Sequence, residues 1–115
     1  MQHAQLSTTR QVISNDSTVQ ISGLSHTIPR TGKYYVCFNG NAESYNSSDA
    51  YPRFRIYVDN TEEFHTAIRL AGSATQQNFN VCGIIDVTAG QVVSAKASGP
   101  VSIFEKCRLV LFRVA

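Results

Sequence analysis

The stretch that closes the chain, Phe104-Glu105-Lys106-Cys107-Arg108-Leu109-Val110-Leu111-Phe112-Arg113-Val114-Ala115, constrains the fold more than any other. Read at a strand's period of two, Lys106, Arg108, Val110, Phe112 and Val114 fall on one face. Cys107, Leu109, Leu111 and Arg113 fall on the other. Leu109 to Phe112 is therefore apolar on both sides, and such a strand needs cover on both. One face packs into the subunit's own core. The second needs another layer, which a short chain finds in a loop flap or in a further copy of itself. Self-association is the expectation carried forward.

Two earlier stretches repeat the pattern. Lys33 to Phe38 places Tyr34, Val36 and Phe38 on one face and Tyr35 and Cys37 on the other. Asn78 to Val87 places Phe79, Val81, Gly83, Ile85 and Val87 opposite Cys82 and Ile84. Arg53 to Val58 behaves differently, with Phe54, Ile56 and Val58 inward and Arg53, Arg55 and Tyr57 outward. Asp59-Asn60 turns it tightly into Glu63 to Ala71, a strand with one wet face. The double-faced strands near Tyr35, Ile84 and Leu109 are thus expected to share one sheet, and the hairpin to lie in a second.

The remaining segments also read as strands and turns. Gln11 to Ile13, Thr18 to Ile21 and Leu24 to Ile28 are short strands separated by Ser14-Asn15-Asp16-Ser17 and Ser22-Gly23. Thr88-Ala89-Gly90 turns into Gln91 to Ala97, and Ser98-Gly99-Pro100 leads to the closing strand. No helical stripe of apolar residues at i, i+3, i+4 is present. The chain reads as all-β, a single antiparallel domain over residues 1–115 with about eight to ten short strands.

Composition excludes several function classes. Charged residues make up 16%, below the usual share of about 25%, while Ser, Thr, Asn and Gln are plentiful, so the surface suits neutral polar ligands such as glycans. The ten basic residues are scattered, the net charge is +2, and nothing tracks a phosphate backbone, so no nucleic-acid partner is expected. The start, Met1-Gln2-His3-Ala4-Gln5, has neither a basic nor an apolar leader segment, and no run is long enough to insert into a membrane. The three cysteines, Cys37, Cys82 and Cys107, are odd in number and widely spaced. That pattern argues against a disulfide framework and a zinc site, and predicts buried free thiols in a protein assembled in a reducing cytoplasm.

Three segments, in order, carry a family resemblance. Gly32-Lys33-Tyr34-Tyr35-Val36-Cys37-Phe38, preceded by Ile28-Pro29, resembles the G-x-Y-Y-F-x-F strand of the C1q/TNF-like jelly rolls. Ile85-Asp86-Val87-Thr88-Ala89-Gly90-Gln91-Val92-Val93 is similar to that family's L-x-L-x-x-G-D-x-V hairpin, and Phe104 to Phe112 to its closing F-x-G-x-L-L strand. Gln91 stands where the family has Asp, and Cys107 where it has Gly or a small residue, departures that speak against a metal site of the animal type. The resemblance implies a jelly-roll sandwich that forms a homotrimer around its inner-sheet residues, here Tyr35, Cys37, Ile84, Leu109 and Leu111. Taken with the Ser/Thr/Asn-rich composition, it is nearest to the terminal knobs of bacteriophage tail fibres and tail needles, in which a trimer caps a fibre and touches the host surface. A secreted C1q- or TNF-like ligand with a protein receptor, and a purely structural trimerisation cap, are the alternatives.

Residues for catalysis are not visible. His3, His26 and His65 are far apart, and no nucleophile, metal or phosphate motif occurs, so neither an enzyme nor a cofactor is expected. His65 reads as part of a surface charge cluster with Glu63 and Arg69. For binding, Tyr45, Asn46, Ser47, Asp49 and Tyr51 form a polar loop in which tyrosine rings can stack on sugar C–H faces while Asn, Ser and Asp hydrogen-bond hydroxyls.

Overall fold

The computed structural model describes residues 3–14, 16–43, 50–70, 76–103 and 105–115, which contain strands and turns but no helix. The strands are β1 (His3–Ser7), β2 (Gln11–Ile13), β3 (Thr18–Thr27), β4 (Gly32–Glu43) and β5 (Arg53–Val58). They continue with β6 (Thr61–Ala67), β7 (Gln76–Val87), β8 (Val92–Ser98), β9 (Val101–Ile103) and β10 (Arg108–Arg113). They form two antiparallel sheets. The six-stranded sheet is built on β4, which has β7 along one edge and β10, then β1, along the other; β9 and β2 extend the far end. The four-stranded sheet runs β3-β8-β5-β6.

The pairings nest. β5 and β6 form the innermost hairpin, β4 pairs with β7 around it, β3 with β8 around that, and β1 with β10 outermost. Successive pairs alternate between the two sheets, so the chain wraps as a folded double ribbon.

Alternation decides what lies between the sheets. Tyr34, Val36 and Phe38 of β4, and Leu109 and Leu111 of β10, are buried from one side; Ile21, Leu24, Phe54, Ile56, Val93 and Ala95 are buried from the other. Phe54 of β5 stacks on Phe79 of β7 at 3.8 Å between ring centroids, and Phe38 meets both edge-on at 6.1 and 4.9 Å. These three rings tie the sheets together, and the edge-on contacts of Phe38 are of the kind that aromatic quadrupoles favour. Gly83 has no side chain because the Phe64 ring lies on it; a Cβ there would overlap that ring.

The turns use the residues that their backbones require. Asp59, at φ 50°, opens the β5–β6 turn, and its Oδ1 accepts the Val92 N–H at 3.0 Å. Gly90, at φ 95°, completes the β7–β8 turn, where Gln91 Oε1 accepts the Thr88 N–H at 2.8 Å.

Three segments differ from the sequence reading. Ser22-Gly23 does not break the chain into two strands but forms an irregularity inside a continuous β3, with Gly23 at φ 81° and Ile21 and Leu24 both buried. β1 appears where no strand was expected, its Ala4 and Leu6 opposite Leu111 and Leu109. The closing stretch is split: β9 comes first and pairs with β2, and Lys106 at φ 68° turns the chain into β10.

Candidate functional site

The expectation that the double-faced strands share one sheet holds: Tyr35, Ile84 and Leu109 all lie in the six-stranded sheet, on β4, β7 and β10, while the Arg53 hairpin lies in the other. Registers then fix the outward face of this sheet row by row. Lys33 stands opposite Asp86, Tyr35 between Phe112 and Ile84, Cys37 between Val110 and Cys82, Asn39 between Arg108 and Asn80, and Asn41 opposite Asn78.

The centre of the face is apolar and its margins are polar. Tyr35 and Phe112 pack with ring centroids 5.1 Å apart. Ile84 beside them is 59% exposed, and Val114, past the end of β10, is 46% exposed. Lys33 Nζ and Asp86 Oδ1 close one end at 2.8 Å, with both side chains in solvent. The paired asparagines close the other. The face therefore has an apolar centre within a polar rim.

Of the five expected contact residues, the sheet divides the set. Tyr35, Cys37 and Ile84 stand on the outward face, Cys37 there only 8% exposed, whereas Leu109 and Leu111 are 0% and 1% exposed and belong to the subunit's own core. Placing the two leucines at a subunit contact is thereby corrected. Both faces of this strand are apolar, so its period sorts residues into two sets without saying which looks inward. Register decides: Leu109 and Leu111 lie beside Phe38 and Val36, which face the core, so Val110, Phe112 and Val114 are the outward members. The signal was present in the sequence as the other half of the same alternation.

The cysteine reading is corrected too. Cys37 and Cys82 are direct partners across β4 and β7 and form a disulfide, with Cα atoms 4.1 Å apart. Cys107 is buried outside the disulfide, its Sγ 3.4 Å from the Asn41 carbonyl oxygen. Sequence spacing carried no hint, because antiparallel pairing brings together residues separated by 45 positions. The usable sign was that Cys37 shares a face with Tyr35, and Cys82 with Ile84. The Asn80 Oδ1 lies 3.0 and 2.9 Å from the two sulfurs.

Of the polar loop, Tyr45, Asn46, Ser47 and Asp49 lie outside the described residues. Tyr51 is described and is 64% exposed. It follows the bridge between Ala50 and Leu70, closed by backbone hydrogen bonds of 2.9 and 2.8 Å, so the base of the loop is fixed to the chain beyond β6.

The histidines do not converge. His3 is on β1, and His26 and His65 are on β3 and β6, the opposite edges of the four-stranded sheet. His65 Nδ1 lies 3.2 Å from Glu62 Oε2, so its carboxylate neighbour is Glu62 rather than the expected Glu63. Among the described residues no group of three His, Cys, Asp or Glu side chains is placed to hold a metal ion. No protein-family model matches the chain, and no significant match to a curated protein was found.

Proposed function

We propose that this chain is the non-enzymatic head domain of a trimeric assembly, a jelly roll whose copies meet through the outward face of the six-stranded sheet. The nested pairing supports the jelly-roll reading, because β1 with β10, β3 with β8, β4 with β7 and β5 with β6, alternating between two sheets, is how such a ribbon wraps. The observation that carries the assembly is the outward apolar centre made by Tyr35, Phe112, Ile84 and Val114. A closed ring of copies covers that patch on every subunit at once.

In this reading the trimer caps a virion fibre or needle and binds a host cell-surface ligand, a glycan, with its exposed loops and faces. The neutral polar composition supports a glycan over nucleic acid. The Cys37–Cys82 disulfide favours a second reading, in which the same trimeric head is secreted and recognises a protein receptor. A glycan array probed with the purified protein separates the two. Binding to defined glycans supports the fibre head, and an array with no binder refutes it.

A further inference from the structure

The outward side of the four-stranded sheet plays no part in the assembly face, and its charges are unevenly matched. On β5 and β8, Arg53 stands opposite Ser98, Arg55 opposite Lys96 and Tyr57 opposite Ser94. Like charges directly across a sheet repel, so the Arg55–Lys96 pair is an arrangement that folding alone does not reward.

Among the described residues only one of these cations is neutralised. Arg55 Nε meets Glu62 Oε1 at 2.7 Å, and Arg55 Nη1 donates to Thr18 Oγ1 at 2.7 Å. Glu62 also turns its other oxygen to His65. Lys96 Nζ sits 4.2 Å over the Tyr57 ring, and among the described residues neither Lys96 nor Arg53 has a carboxylate within ion-pair distance. Glu63, the next acid along β6, instead lines a groove with Asp59 and Asp86. A chain with a net charge of only +2 thus carries three cations on the β5–β8 part of one sheet face, of which Arg55 alone meets a carboxylate among the described residues.

We propose that this face, centred on Arg53, Arg55, Tyr57 and Lys96, binds an acidic glycan carrying carboxylate or sulfate groups. The inference rests on the reading of the chain as a glycan-binding head and names its ligand class and site. Guanidinium groups pair with carboxylate and sulfate through two parallel N–H donors. Thr18 and Gln20 lie on the same face, as partners of Ser98 and Lys96 on β3, and supply a hydroxyl and an amide for sugar hydroxyls. Charge complementarity selects an acidic occupant. The small number of uncommitted cations argues against a nucleic-acid strand, whose binding grows with each phosphate neutralised.

The test titrates the intact, disulfide-bonded protein with three oligosaccharides of equal length, one sulfated, one carboxylated and one neutral, at low and high salt. The acidic sugars bind, the neutral one binds at least about tenfold more weakly, and the difference shrinks at high salt as screening shortens the reach of the charges. The double variant Arg53→Gln/Lys96→Gln loses about tenfold or more in affinity for the acidic sugars, with unchanged thermal midpoint and unchanged assembly mass. Equal affinity for the neutral sugar, undiminished binding by the double variant, tighter binding to single-stranded DNA, or no acidic sugar bound at millimolar concentration would each overturn the inference. Mass measured on the same samples separates the two levels. A monomer that binds acidic sugars through this face sinks the trimer alone, and a trimer indifferent to them sinks the site alone.

Discussion

Ile84→Asp is predicted to dissolve the assembly while leaving the subunit folded. Ile84 points away from the core and is 59% exposed in the single chain. Burying a whole isoleucine contributes about 1.5–3 kcal/mol. Covering the exposed part at a subunit contact is therefore worth about 1–2 kcal/mol per copy, or about 3–5 kcal/mol over three copies. With a tenfold change for every ~1.4 kcal/mol, truncation by Ile84→Ala lowers the trimer association constant by on the order of a hundredfold or more. Ile84→Asp does worse, because a carboxylate would have to enter the contact unpaired. Neither change disturbs the core, so urea unfolding of the separated subunit moves by no more than about 0.5 kcal/mol. Sedimentation velocity over a concentration series reads the assembly. An Ile84→Asp protein that sediments like the parent at every concentration would refute the placement of this face at a contact.

Four further outcomes test the packing. Leu109→Ala empties a fully buried site and costs about 2–5 kcal/mol of subunit stability in urea; a loss of assembly without any loss of stability would return this leucine to the interface. Gly83→Ala drives a methyl into the Phe64 ring and costs about 1–3 kcal/mol, with recovery when Phe64→Leu is added; an unchanged midpoint would show that the ring does not lie there. Unfolded without reductant, the protein exposes one thiol, that of Cys107 outside the disulfide, to labelling, and two more after reduction. Cys82→Ser removes the closure of a loop separated by 45 positions, worth about 4 kcal/mol by chain entropy, and three thiols in the unreduced chain would contradict the pairing.

Much of the fold was legible because period-two alternation is a strong signal when one face is apolar and the other polar. Phe54, Ile56 and Val58 against Arg53, Arg55 and Tyr57 fixed the hairpin's orientation, and the Asp59-Asn60 turn set its first two pairs, but the irregularity between Ile56 and Tyr57, which shifts the remaining pairs by one residue, left no mark in the pattern. Where both faces were apolar the same rule fell silent. It grouped Leu109 with Leu111 and Val110 with Phe112, but the inward choice depended on a pairing with Val36 and Phe38 that no local pattern encodes. The disulfide was hidden for the same reason: register, not spacing, brings Cys37 to Cys82. β1 was missed because its five residues, His3–Ser7, hold only Ala4 and Leu6 as apolar markers, and its stability comes from β10. The charged strip on β5 and β8 was half visible, since Arg53, Arg55 and Tyr57 were expected outward. That Lys96 stands opposite Arg55 required the sheet order.

In the proposed assembly the apolar centre around Tyr35 and Phe112 is covered by further copies of the same chain. Native mass spectrometry of the unreduced protein at micromolar concentration reads this directly. A dominant species of three copies, lost on substituting Ile84 with Asp, is the predicted result; a single copy that persists as the concentration is raised would contradict it.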